Sequence, residues 1–268
     1  MTSIDHQPHF DIPVTYNKKV QTWIKYFQGN GRRWFESRLE RSYRYLPLMH
    51  RHLQKKQLPR DLAYISLIES GFSAHAVSSA AAVGYWQFIG PTAKRYGLQQ
   101  TWWLDERRDF VKSTKAAANY LSDLYKIFRS WHLTAAAYNM GEGRLLKLIS
   151  RHNTMDFWVL SSKKDFPKET REYIPKLIAA VLIAKMPKLY GFKNLSPMQP
   201  YSYEYVYARG GTDLKNLASH LDISHKELKR LNPSLKHGFI PSKIQGYWIR
   251  IPKGKVTQVS QYMKRVST

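Results

Sequence analysis

Glu69 stands out in a 268-residue chain with 19 acidic residues against 43 Lys and Arg. It lies four residues after Ile65 and seven after Leu62. At helical spacing it therefore shares their apolar stripe, which Ile68 and Phe72 extend. A carboxyl group on such a face is costly to bury unless it is paired or keeps its proton. Burial raises a carboxyl pKa, and a group that holds its proton near neutrality can protonate a leaving group. The same position also suits a structural Glu paired with one of the many arginines. From Ser70 to Leu104 no Asp or Glu occurs. That interval instead carries Ser78, Ser79, Gly84, Tyr85, Trp86, Gln87 and Phe88. Apolar ring faces beside neutral hydrogen-bonding groups are how sugar rings are held. Most glycosidases use two carboxylates. One Glu without a second nearby in sequence points to cleavage assisted by the substrate itself.

The elements that must position these residues are mostly helical. Trp23, Phe27, Trp34, Phe35, Leu39, Tyr43 and Leu46 recur at three- and four-residue steps. They predict helix from about Lys18 to Leu53, interrupted at Gly29-Asn30-Gly31. Pro47 either opens a new helix or kinks the old one. Pro59 stands near the first turn of the helix that carries Glu69. Further helices are predicted over Ser113–Phe128, Leu133–Tyr138, Glu142–Ser150 and Thr170–Met186. Glu142, a tempting second carboxylate, reads as a favourable charge at a helix start.

Around Pro197–Pro200 the pattern changes. Tyr201–Tyr207 and Tyr247–Ile251 read as strands. Leu214–Leu221 and Lys226–Leu231 read as short helices between them. The predicted class is mainly α. A loose tail (1–17) precedes a helical domain (18–199) and a small βααβ domain (200–268).

Several classes are excluded. The chain has no cysteine, which removes disulfide scaffolds, thiol nucleophiles, Cys-bound zinc and iron–sulfur clusters. The ten histidines are scattered without metal-ligand spacing, and no Gly-rich phosphate loop is present; no metal or cofactor is expected. The longest apolar run, Leu177–Ala184, is far short of a membrane span. Met1–Pro13 holds no apolar signal-peptide core, so the chain is either not exported or a mature form. His132 and His152 read as surface residues. A net charge of +24 favours polyanionic partners such as nucleic acid, anionic membrane or acidic cell-wall polymer. The charge is spread along the chain, and no nucleic-acid reading motif accompanies it.

Taken in order, the motifs carry a resemblance. Glu69-Ser70-Gly71-Phe72, Ala76-Val77-Ser78 and Gly84-Tyr85-Trp86-Gln87-Phe88-Ile89 are followed by Ala137-Tyr138-Asn139-Met140-Gly141. Glu169-Thr170-Arg171-Glu172-Tyr173-Ile174-Pro175-Lys176 completes the set. The combination resembles the lysozyme-like, goose-type fold of soluble lytic transglycosylases, and within it the membrane-bound lytic murein transglycosylase D type. The resemblance covers about residues 18–195. It implies cleavage of the β-1,4 bond between N-acetylmuramic acid and N-acetylglucosamine in peptidoglycan, with a 1,6-anhydromuramic product. By residue matching, Glu69 is acid and then base, and Ser78, Gln87, Tyr138, Asn139 and Tyr173 line the cleft. The implied partner is peptidoglycan, and the implied location is the periplasm or cell envelope. Where many relatives have Gly-Ala, this chain has Ala80-Ala81-Ala82. The alternatives are a water-using muramidase of the same fold and a non-catalytic wall-binding protein.

Residues 202–253 resemble a LysM module, a fold that binds N-acetylglucosamine-containing glycans. The resemblance is carried by Tyr203–Tyr207, Gly210-Gly211-Thr212-Asp213-Leu214, Leu231-Asn232-Pro233 and Ile249–Pro252. The usual loop order Gly-Asp-Thr-Leu is here Gly-Thr-Asp-Leu, and Lys236–Gly246 is longer than usual. The module either binds glycan, so that its loss is expected to lower wall binding more than turnover, or only packs on the catalytic domain.

Overall fold

The computed structural model describes residues 9–265. In chain order its helices are α1 (Lys18–Gln28), α2 (Arg32–Gln54), α3 (Ile65–Glu69), α4 (Gly90–Arg95), α5 (Phe110–Phe128) and α6 (Trp131–Met140). They continue as α7 (Glu142–His152), α8 (Phe157–Ser162), α9 (Lys168–Lys185), α10 (Leu214–His220), α11 (His225–Leu231) and α12 (Val256–Arg265). Strands β1 (Tyr203–Arg209) and β2 (Gly246–Pro252) pair antiparallel, with Val206 opposite Ile249 and Tyr207 opposite Trp248. The class is mainly α with one small βααβ unit, as the patterning predicts.

The chain forms two compact units, each built from two stretches: Met1–Phe72 with Thr114–Met198, and Ser73–Ser113 with Gln199–Thr268. In the first unit α9 is the central element. Its residues from Leu177 to Ile183 are all buried, which is why its sequence is apolar on every side. α9 packs against α1, α3, α6 and α8. The α1 start is capped by Asn17, whose side chain accepts from the Val20 N–H at 3.1 Å. The Gly29–Gly31 break is present, and Pro47 sits inside α2 without ending it.

Two expectations need correction here. Residues 9–17 are not a loose tail. Ile12 is buried, the Asp11 N–H donates to Asp61 Oδ2 at 2.7 Å, and the Arg60 N–H donates to Asp11 Oδ2 at 3.0 Å. Residues 1–8 of that expected tail lie outside the described residues. The helix from Pro59 is also not continuous. A 3-10 turn (Arg60–Tyr64) leads into the single turn of α3, which ends at Glu69. Gly71 and Phe72 then adopt positive φ. A Cβ on Gly71 would lie 2.4 Å from Arg38 Cγ, so only glycine lets the chain turn there. The turn swings Phe72 onto Tyr45, ring centroids 6.1 Å apart. The apolar stripe of Leu62, Ile65, Ile68 and Phe72 is nonetheless buried throughout.

In the second unit the β1–β2 strand pair and helices α10 and α11 enclose Val206, Leu214, Leu217, Leu228, Ile249 and Ile251. Trp103 and Leu104 join this same core. One of the divisions between the units falls after Met198. The grouping of residues 73–113 with the C-terminal stretch has no counterpart in the linear pattern. α12 is a further element the pattern did not announce, anchored by buried Val259.

Candidate active site

The first unit assembles a carboxyl group in a guarded setting. Glu69, the last residue of α3, keeps a partial opening to solvent. Tyr173, on α9 and buried, donates its hydroxyl to Glu69 Oε1 at 2.6 Å. Burial pushes the Glu69 pKa up. The Tyr173 hydrogen bond and the Lys176 charge pull it down, the Glu169 charge adds to the rise, and the balance is about 7. Burial pulls Lys176 the other way, below its ordinary value, while Glu69 supports its charge. Lys176 Nζ also lies 3.4 Å from the Ile68 carbonyl oxygen.

Tyr138, near the end of α6, faces the same group: burial and the Glu69 charge both oppose loss of its phenolic proton. Its ring lies against Tyr120, centroids 5.3 Å apart. Asn139 does not hydrogen-bond Glu69 directly. Its Oδ1 accepts from Thr170 Oγ1 at 2.6 Å, and its Nδ2 donates to Glu169 Oε1 at 3.1 Å, which ties the end of α6 to the start of α9. Gly141 ends α6 with φ 87° and donates its N–H to the Ala137 carbonyl. Glu142 sits in the first turn of α7 and accepts from the Tyr120 hydroxyl at 3.1 Å.

Ser78 and Gln87 lie in the second unit, in the turn-rich stretch between α3 and α4. Ser78 is exposed, and its Oγ accepts from the Ala82 N–H at 3.1 Å. Gln87 has φ 50°, a left-handed backbone held by its own side chain. Its Nε2 donates to the Ala76 and Gly84 carbonyls at 3.2 and 2.9 Å. Ala81 also sits left-handed, at φ 56°.

Sequence reasoning missed Lys176 and Glu169 as neighbours of Glu69. Both stand in the motif around Tyr173, one helical turn to either side of it, so the 3.6 period placed them on its face. His132 is half-buried, with Nε2 2.9 Å from the Pro13 carbonyl oxygen, and His152 pairs with Asp165. Among the described residues, no helix is long and apolar enough to cross a membrane.

The second unit has an open groove of about 620 Å³ where the two-stranded sheet meets α12. Tyr205, Tyr207, Arg209, Trp248 and Lys264 line it, and Tyr207 and Trp248 make an edge-to-face pair at 5.5 Å. Asp213, displaced in the loop order, keeps a capping role: its side chain accepts from the Lys215 and Asn216 N–H groups at 2.7 and 3.0 Å.

Residues 48–161 match the family described as Transglycosylase SLT domain. Residues 203–268 match that described as Lytic transglycosylase MltD, LysM-like domain. The chain belongs to the transglycosylase SLT-domain proteins, in the arrangement with a MltD-type LysM-like domain at its C-terminal side. It is 36% identical over 214 residues to the membrane-bound lytic murein transglycosylase D of Escherichia coli K12. That alignment covers 78% of this chain and 46% of the relative, so the chain spans about half the length of the curated relative it matches. Among solved structures it is similar to the 70 kDa soluble lytic transglycosylase of Escherichia coli, with TM-score 0.49 and 21% identity over 65% of this chain and 31% of that one. It is also similar to lytic transglycosylase Slt of Pseudomonas aeruginosa, with TM-score 0.44 and 21% identity over 57% and 24% of the two chains.

Proposed function

We propose that this chain is a peptidoglycan lytic transglycosylase of the periplasm or cell envelope. It would cleave the β-1,4 bond between N-acetylmuramic acid and N-acetylglucosamine and leave a 1,6-anhydromuramic end. The observation that carries the reading is Glu69: a partly open, desolvated carboxyl group whose pKa stands at about 7, under a tyrosine hydroxyl at 2.6 Å. A group with that pKa is able to give a proton and to take one back at neutral pH. Tyr173 donates to Oε1, so the acidic proton belongs on Oε2, free for the glycosidic oxygen. Once the proton has left, the Tyr173 hydrogen bond and the Lys176 charge stabilise the carboxylate. Glu69 then accepts the proton of the muramic C6 hydroxyl as that oxygen closes on C1. The neighbouring N-acetyl group supports C1 in between, so no protein nucleophile and no water is consumed.

Tyr138, Tyr173, Asn139, Ser78 and Gln87 are proposed to contact or orient the sugar. Residues 200–268 are proposed to bind glycan, with Tyr207 and Trp248 as stacking faces beside Arg209 and Lys264.

One observation favours a second reading. The Glu169 charge reaches Glu69, and an inverting muramidase needs a second carboxylate about 6.5–9.5 Å from the acid. Mass spectrometry of soluble products from purified peptidoglycan separates the two. Anhydromuramic ends establish the transglycosylase; reducing ends, ~18 Da heavier by one water, establish the hydrolase with Glu169 as the base. Absence of any product would leave a wall-binding protein.

A further inference from the structure

Residues 73–113, which carry Ser78 and Gln87, share a core and a chain of polar contacts with the C-terminal βααβ unit. Arg250 of β2 and Asp109 are both almost fully buried and pair at 2.7 Å. The Arg250 guanidinium also lies over the Phe110, Tyr203 and Tyr205 rings, at 4.3, 5.4 and 5.1 Å from their centroids. A second grip lies three residues earlier on each side. The Tyr247 hydroxyl donates to buried Glu106 at 2.7 Å, and Lys112 donates to that hydroxyl at 2.9 Å. The backbones join too: the Asp105 N–H donates to the Ser234 carbonyl and the Lys236 N–H to the Trp103 carbonyl, both at 2.9 Å.

From Asp109 the contacts run on into the sugar-contacting stretch. Arg107, clamped by both oxygens of Asp105 at 2.9 Å, donates to the carbonyls of Ala81 and Phe88 at 3.2 Å. Arg108 donates to the Ala74 carbonyl at 3.3 Å. These three carbonyls bracket Ser78 and Gln87. Gly84 packs so closely on the Arg107 backbone that a Cβ there would lie 2.0 Å from the Arg107 carbonyl oxygen. Residues 105–109 are thus a splint, held on one side by the βααβ unit and holding the 74–88 turns on the other.

We propose that the LysM-like strand pair is a positioning device for the substrate-contacting turns, with Arg250 and Tyr247 as positioning residues acting through Asp109 and Glu106. This rests on the transglycosylase reading above, in which Ser78 and Gln87 meet the glycan. The strand pair is then not a separable tether. Its loosening weakens productive glycan binding at the 74–88 turns, while the Glu69 chemistry keeps its own pH dependence.

The test compares wild type with Tyr247→Phe and Arg250→Met in the full chain. Amide hydrogen exchange is read at residues 76–88, and KM, kcat and the pH profile are read on purified glycan strands. The expected result is exchange at Val83, Gly84 and Gln87 faster by at least tenfold in Arg250→Met. KM rises about tenfold in Arg250→Met and about threefold in Tyr247→Phe, with the alkaline fall of kcat at the wild-type pH. Arg250→Lys, which keeps the charge, recovers part of the KM. Unchanged exchange overturns the proposal, and so does faster exchange with unchanged KM. If Arg250→Met fails to fold, Tyr247→Phe decides by the same two readouts. Wild type that releases no product from any peptidoglycan refutes the transglycosylase reading instead. The exchange comparison then still decides whether the strand pair orders residues 76–88.

Discussion

Glu69 and Asp109 are both carboxyl groups taken largely out of water, and their surroundings drive them in opposite directions. At Glu69 burial wins. One tyrosine hydrogen bond and one nearby lysine do not offset it, and the pKa rises to about 7. At Asp109 burial pushes the same way. The Arg250 charge and hydrogen bond, with the Lys112 N–H, outweigh it and hold the group below the usual carboxylate range. The same desolvation yields a proton carrier in one unit and a fixed anion in the other. What differs is whether a full countercharge sits in contact. A reactive acid has to be left under-compensated, and a structural one must not be.

The comparison is broken most severely at the acid itself. Glu69→Gln is expected to lower release of soluble muropeptides from sacculi on the order of 10⁴-fold, since the proposed acid and base roles fall on one residue. Its far-ultraviolet circular dichroism should match wild type. Cleavage at the wild-type rate would mean that another group is the acid.

Asp109→Asn should act on the fold. It leaves Arg250 buried without its anion and should lower unfolding free energy by about 3–5 kcal/mol in denaturant titration. A loss under ~1 kcal/mol would show that the pair is dispensable.

Tyr173→Phe sharpens the first half of the comparison. Removing the hydroxyl takes away a bond that favours ionised Glu69, so its pKa should climb above about 7. In wild type the protonated fraction, and with it kcat/KM, falls as pH rises through about 7. In the variant that fall should move to higher pH, with a maximum rate reduced about tenfold by loss of orientation. A fall at the same or lower pH would contradict the assigned role.

The same pKa carries a stability consequence. The folded state binds the Glu69 proton more tightly than the unfolded one, so stability falls as pH rises from the free carboxyl value of 4.5 to about 7 and levels off above that. Glu69→Gln should raise stability at pH 8 relative to wild type by about 1 kcal/mol, and by less at pH 5. Equal gains at both pH values would argue against a raised pKa.

The smallest effect is expected at Ala81, whose left-handed backbone suits glycine. Ala81→Gly should stabilise the chain by about 1 kcal/mol in thermal or denaturant unfolding. No gain would mean that the turn is not strained.

Much of this molecule follows from local chemistry. The spacing of Leu62, Ile65, Ile68 and Glu69 placed a carboxyl group on a buried stripe, although the helix proved to be a 3-10 turn and one α-turn. Backbone geometry near Gly71 is settled by contact with Arg38, which no local pattern reports. The alternation in 201–207 and 247–251 announced the strands of the βααβ unit, because alternation is a short-range effect. The motif order likewise carried the family. Tertiary structure decided the rest. Tyr173 reaches Glu69 across 104 residues of chain and Arg250 reaches Asp109 across 141, and only packing brings such pairs together. Trp103 and Leu104 look like ordinary core residues of their own neighbourhood, yet they complete the core of the C-terminal unit. Sequence by itself placed Glu69 on a buried stripe, and packing alone buried Asp109. The long-range countercharge, or its shortfall, decided which of them would hold a proton.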